Sequence, residues 1–267
     1  MSTTLKNGRA GLGTLGWREL SSQVPPAYGL LPLAIVLIGW QAFGPEQSLY
    51  APRPSTWAVE VANLWNAGDL QVALAESVST FLIAFVVASL LGTVFGIVVG
   101  RWRLADRMLG PTLEFFRVMP AAAIVPLAVL IAGYTQDMKV GVVVFSAIWP
   151  ILLQVRTGMR TIDPILGETG RALHLSAPAR VMKMTLPALL PSILQGMRLA
   201  VSPVLIIVLL VEILTRINGL GSLIEHSQQQ YKSAAVYGLL VITGLLALSV
   251  NTLMSFAGSW LLRHRPK

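Results

Sequence analysis

The chain has no cysteine in 267 residues, which excludes disulfides, thiolate nucleophiles and cysteine-based metal sites together. Charge is also scarce, because Asp, Glu, Lys and Arg make up only 12% of the sequence, about half the share of an ordinary soluble domain. The three histidines, His174, His226 and His264, are scattered, and no HxxxH or HxxE spacing joins them, so a metalloenzyme is not expected. No G-x-x-x-x-G-K-S/T segment is present, and the chain therefore has no phosphate loop for a nucleotide. A net charge of +8 would point to nucleic acid in a soluble protein. Here the basic residues form no stripe interleaved with aromatics, so no nucleic-acid partner is expected.

What is abundant is apolar surface: 54% of residues are hydrophobic and the mean hydropathy is +0.69. That exceeds what the core of a soluble domain needs, and several apolar runs are long enough to cross a hydrocarbon layer of about 30 Å. The expected fold is an all-α membrane protein with about six transmembrane helices. The runs fall at about 29–44, 78–100, 113–134, 140–153, 188–214 and 235–262. The third is broken by Pro120 and Pro126, and the fourth has Pro150 near its end. A basic leader with Lys6, Arg9 and Arg18 precedes the first run. It reads as the approach to an uncleaved span, because Phe43-Gly-Pro-Glu-Gln offers no small-x-small cleavage site. Residues 45–76 read as a polar loop with a short helical stretch after Pro52 and Pro54.

In the second run Gly92, Gly96 and Gly100 recur every four residues, which puts them on one helix face where another backbone can approach. Packing is favoured over lining a pore. Orientation follows from the basic residues. Fourteen of the twenty Lys and Arg fall in the leader, at 101–107, at 156–183 or in the tail; Arg53, Lys139, Arg216 and Lys232 fall on the opposite side. By the positive-inside rule both termini and the 156–183 segment are cytoplasmic. The basic excess is thus topology, with contact to the lipid bilayer as a by-product.

The segment 167–187, GETGRALHLSAPARVMKMTLP, interrupts two apolar runs. Asp163-Pro164 is a strong helix start, since Asp caps free amides and proline at the first helical position loses nothing. A short helix from Pro164 to about His174 is expected, on which Glu168 and Arg171 stand at i and i+3 and can pair. Ser176 offers a second cap with Pro178 just inside, so a sharp turn and a second short helix should precede the fifth span at Leu186-Pro187. By itself this is a cytoplasmic helical elbow.

The elbow resembles the EAA loop of ABC-transporter permeases, whose wording is E-A-A, three residues, G, nine residues, I-x-L-P. Glu168 takes the E position, Thr169 and Gly170 replace the alanines, His174 replaces the glycine, Met184 replaces the isoleucine, and Leu186-Pro187 close the motif. The resemblance covers about residues 50–262. FFRVMPAAAIVPLAVL is similar to the family's LRxIPxxAxxPL segment, RINGLGSLI to its GLG segment, and YAPRPSTW to the LPxPxxV stretch of the nitrate, taurine and aliphatic-sulfonate subgroup.

The resemblance implies a type I importer-like fold with a leader over 1–28, a permease domain over 29–267, a family-like core at about 75–262 and the EAA loop at 163–187. It implies a bacterial inner-membrane subunit that is not itself an enzyme. Its expected partners are a second permease copy, two cytoplasmic ATPases that bind ATP and magnesium, and an extracytoplasmic solute-binding protein. A small anion such as sulfonate, taurine or nitrate is the expected cargo, with a heterocyclic vitamin precursor as the alternative. The docking residues implied are Glu168, Gly170, Arg171, Ala172, Leu173, His174, Leu175, Ser176, Leu186 and Pro187. His174 stands where the turn wants a residue tolerant of positive φ. Gly170 either brings the helix close to a partner or softens the loop.

Charges inside spans are candidates for function. Glu114 and Arg117, three apart, form either a structural pair near the cytoplasmic mouth or a substrate contact. Arg198 and Glu212 frame the fifth span, and Glu212 matches the family's acidic residue before the GLG segment, where a structural or gating role is favoured over substrate contact. Met119, Pro120 and Ser146 are further candidates for a central path, with packing as the alternative for Met119. A secondary transporter without an ATPase would favour inverted repeats, and a membrane enzyme would need a cluster of His, Asp or Ser at the bilayer edge. The sequence offers neither.

Overall fold

A computed structural model describes residues 31–45 and 48–262. The expected leader at 1–28 and the basic tail residues Arg263, Arg265 and Lys267 lie outside the described residues. The elements are helices α1 (Leu31–Phe43), α2 (Pro54–Ala67), α3 (Asp69–Arg101), α4 (Arg103–Val118), α5 (Ala121–Ala132), α6 (Gln136–Thr161), α7 (Pro164–Ala172) and α8 (Ala177–Arg180). A π-helical turn (Val181–Thr185) follows, then α9 (Leu186–Thr215), α10 (Leu220–Gln229) and α11 (Ser233–Leu262). Among the described residues there is no β-strand.

Four of these stretches are long and apolar enough to cross a membrane: α3, α6, the run Ala177–Thr215 and α11. A fifth crossing is available if α4 and α5, which meet at 91°, form one broken span. The break falls where Met119 turns extended before Pro120, as the ring of a proline demands of the residue preceding it. Pro126, expected to break the same segment, sits inside α5 without ending it. It removes one backbone hydrogen bond, and the rest of the helix holds.

The chain divides after residue 55 into two units. In the first, the 13-residue α1 is followed by a turn closed by its own side chains. Arg53 Nε donates to Gly44 O at 2.6 Å, and Gln41 and Ser55 exchange bonds, Ser55 N to Gln41 Oε1 at 2.9 Å and Gln41 Nε2 to Ser55 Oγ at 3.1 Å. The stretch expected as a polar loop over 45–76 is mostly helix, because α2 passes through a single left-handed residue, Gly68 (φ 90°), directly into α3.

The second unit is built on α3, α6 and α9. Their facing sides form one core that includes Phe81, Ala84, Ala88, Ile151, Val155 and Val204, while Leu82, Val86, Leu90 and Val94 of α3 point outward, exposed. An apolar outer face is what a lipid environment requires. The glycine face of α3 packs as expected against α6. A Cβ on Gly96 would lie 2.8 Å from Leu152 O and from Val155 Cβ, and one on Gly100 would lie 2.7 Å from Met159 Cβ. A second cluster gathers Leu70, Ala73, Leu220, Ile224 and Leu239 around α10.

Candidate functional site

Candidate chemistry gathers at three places: the elbow, a cavity beside the middle of α6, and a buried charge cluster at the start of α6.

The elbow begins as its sequence dictates. Ile165 N donates to the Asp163 carboxylate at 2.9 Å, and Pro164 occupies the first turn of α7. Its end is a left-handed turn, with His174 at φ 49°, His174 N bonded to Arg171 O at 3.0 Å and Leu175 N to Gly170 O at 3.1 Å. This pair of bonds is the Schellman arrangement that a C-terminal glycine ordinarily makes. His174 therefore keeps the turn despite its side chain.

Beyond the turn the structure departs from expectation in three ways. Ser176 stands at the start of α8 but its hydroxyl makes no capping bond. The second helix is not a separate short one, since α8 runs through the π-turn into α9 as a continuous 39-residue stretch, Ala177–Thr215. Pro187 has no N–H to return to the preceding turn, and the wider π-turn absorbs that loss. Glu168 and Arg171 do not pair, and neither has an ion-pair partner among the described residues. Both are exposed, and an exposed pair of this kind gains little over solvation.

Gly170 is buried inside the elbow. A Cβ there would lie 2.9 Å from both Arg180 Cδ and Met184 Sδ, so the close approach it permits is between α7 and the α8–π arm of the same chain. Ala172, Leu173, His174 and Ser176 are exposed, as are Ile165, Leu186 and Pro187, and Leu175 is half-buried. One ion-pair cluster stands beside the elbow. Asp106 of α4, buried, receives Arg156 Nε and lies 3.1 Å from Arg160 Nη1, which ties α4 to the end of α6 just before Asp163.

Of the path candidates, Glu114, Arg117, Met119 and Ser146 line one cavity of about 630 Å³ between α4, α6 and α9. Arg117 Nε donates to Glu114 Oε2 at 3.0 Å. Pro120 shapes the α4–α5 break beside it. Arg198 is exposed on α9 outside the lining, and Glu212 lies elsewhere. Sequence reasoning missed the cavity's aromatic wall. Phe116 stacks on Trp149 with centroids 5.2 Å apart, and Phe145 stands edge-on to both. The spacing of Phe145 and Trp149, four apart on one helix, was the available signal.

Glu212 sits in the third place, fully buried with Lys139 (0% exposed each). Lys139 was expected in a polar loop; it is instead in the first turn of α6, where its Nζ donates to Glu212 Oε1 at 3.3 Å and to Asn218 O at 2.8 Å. Ser77 Oγ of α3 lies 2.8 Å from Glu212 Oε2 and accepts from Leu220 N at 2.8 Å, while Gly221 N donates to Glu212 Oε2 at 2.9 Å. The Gly219-Leu-Gly221 turn fits this carboxylate because it lacks side chains: a Cβ on Gly219 would lie 2.1 Å from the Glu212 carboxyl carbon. The cluster fastens α3, α6, α9 and α10 at one point. The legible signals were a lysine one residue before an apolar run and an acid inside another, while their meeting was not readable from either.

Comparison with known proteins places these features in a family. The chain is 28% identical over 275 residues to a bicarbonate transport system permease protein of Synechococcus elongatus, covering 98% of each. It is 26% identical over 258 residues to a nitrate import permease protein of Leptolyngbya laminosa (93% of this chain, 91% of the relative). A Bacillus subtilis permease named for aliphatic sulfonates is 26% identical over 240 residues (89% and 87%). Among solved structures, an amino acid ABC transporter matches with TM-score 0.58 at 14% identity (74% of this chain, 96% of that one). The MetNI methionine ABC transporter matches with TM-score 0.56 at 19% identity (75% and 96%). The fold is that of an ABC importer permease. Residues 90–265 match the model of the binding-protein-dependent transport system inner membrane component, and the chain belongs to this family of ABC-transporter permeases.

Proposed function

We propose that this permease imports a small anion, delivered by an extracytoplasmic binding protein and driven by two cytoplasmic ATPases that bind ATP and magnesium. The names of its relatives, for bicarbonate, nitrate and aliphatic sulfonates, support that cargo class over a vitamin precursor. Two copies of the chain form the membrane pathway, with the leader at 1–28 and the elbow at 163–187 in the cytoplasm of a bacterium's inner membrane. The basic bias supports that orientation, and burying Lys139 against Glu212 removes one of the few charges that opposed it.

The observation that carries the reading is the elbow. It is a well-capped, nine-residue helix whose exposed Ile165, Glu168, Arg171, Leu173 and His174 leave an apolar edge and unpaired charges for another protein's groove. Gly170 stiffens it from inside by letting its two arms touch. Displacement of a stiff plug reaches α6 and α9, into which the elbow continues at either end, and reaches α4 through Asp106, Arg156 and Arg160. The cavity of Glu114, Arg117, Met119 and Ser146, with Pro120 at its break, is the proposed path. Arg198 and Glu212 act outside it, Glu212 as a structural fastening. Deleting residues 168–175 tests the reading: co-purification of the ATPase is lost while membrane insertion persists. Retained co-purification refutes the docking role.

A further inference from the structure

Along α6, Ser146 and Trp149 lie about 10–15 Å from both Lys139 and Arg156, at the 1.5 Å rise of a helix. The cavity they line runs from the middle of the span toward the end that carries Arg156, since Gln154 and Thr157 also line it, and the stack of Phe116 on Trp149 sets the neighbouring Arg117 at its inner part. A guanidinium at such depth is costly unless it faces water or a partner. Arg117 is 56% exposed and Glu114 53%, so both face open space, and the pair they make is of the weak, exchangeable kind. One residue of the lining, Trp149, carries a donor with no acceptor. Trp149 Nε1 is buried and has no hydrogen-bond partner among the described residues, although buried N–H groups are almost always paired. The wall of Phe116 and Trp149 keeps this side of the cavity apolar, which strengthens a charge-assisted bond formed against it.

We propose that Arg117 is the oxyanion anchor of this cavity and that Glu114 is its resident stand-in, a carboxylate that holds the guanidinium until a small oxyanion displaces it. This rests on the permease reading and names the residues that would give it anion selectivity. Carboxylate, nitrate, bicarbonate and sulfonate share a flat or three-oxygen face that a guanidinium binds through two parallel N–H groups. Rotation of the Trp149 ring on ligand binding brings its indole N–H to the same ligand as a third donor. Because Glu114 already pairs with the guanidinium, the anion is bound weakly, as release to the far side requires.

The test uses the permease assembled with its ATPase in lipid nanodiscs, without the binding protein. Its thermal midpoint is titrated with sodium nitrate, sodium bicarbonate and sodium methanesulfonate against sodium chloride at equal ionic strength. At least one oxyanion is expected to raise the midpoint saturably. Arg117→Gln abolishes that shift, Arg117→Lys weakens it, and Trp149→Phe, which keeps the stack on Phe116, also weakens it severalfold. Glu114→Gln lowers the half-saturating concentration by roughly 1.5- to 5-fold, the worth of an exposed ion pair. No saturable shift with any of the three, a shift retained in Arg117→Gln, or unchanged or weaker binding in Glu114→Gln overturns the proposal. Uptake by the complete importer separates this from the broader reading. If Arg117→Gln imports as fast as the unaltered chain, the anchor falls and the importer stands; if the unaltered importer moves none of the three anions, the anion-import reading falls too.

Discussion

Replacing Lys139 by methionine removes one partner of a fully buried ion pair while keeping most of its volume. Lys139 Nζ donates at 3.3 Å to Glu212 and at 2.8 Å to Asn218 O, and hydrogen bonds to charged groups contribute about 1.5–3 kcal/mol each. Their sum agrees with the 3–5 kcal/mol typical of breaking a buried pair by removing one member. The companion change Glu212→Gln keeps an acceptor for Gly221 N and Ser77 Oγ. The double variant Lys139→Met/Glu212→Gln is therefore expected to recover much of the loss, giving a coupling energy of about 2–3 kcal/mol. Arg117→Gln, which breaks an exposed pair, should change stability by under about 1 kcal/mol. The measurement is SDS-driven unfolding in mixed micelles, followed by circular dichroism, for the four members of the cycle and the Arg117 control. A loss below about 1 kcal/mol in Lys139→Met, or a coupling below about 0.5 kcal/mol, would refute the reasoning that this cluster fastens the helices.

On the α3–α6 contact, Gly96→Val must push into Leu152 O and Val155 Cβ, both 2.8 Å from a Cβ at that position, and should destabilise by about 1–3 kcal/mol in the same unfolding assay. Gly141→Ala, where nothing lies within 4 Å, should be neutral or stabilise by up to about 1 kcal/mol. At the elbow, His174→Gly should retain ATPase co-purification, because glycine adopts the left-handed turn freely, whereas His174→Val should lose it, since a branched Cβ resists positive φ; equal yields from the two variants contradict this. Asp163→Ala removes the cap on Ile165 N, costing about 1 kcal/mol, and should speed amide exchange in the first turn of α7 by about fivefold.

The sequence alone determined the helical class, most of the spans, the capped start of the elbow and the glycine face of α3. Each of these is a local property, set by hydrophobic run length, by a residue's own backbone preference, or by the 3.6-residue period. The EAA spacing was legible for the same reason, and His174 takes the left-handed turn where the motif has glycine, because an unbranched Cβ tolerates positive φ better than a branched one. What tertiary structure decided was which distant groups meet. Lys139 read as a loop charge until α9 placed Glu212 beside it, and only the approach of α4 to α6 gathered Glu114 and Arg117 with Phe116, Phe145 and Trp149 around one cavity. Gly170 read in sequence as either a close approach to a partner or a soft point in the loop, and it lies against Arg180 and Met184 of its own chain. A charge or a glycine has no direction until a second element packs against it, and that pairing is written in no window of residues short enough to read.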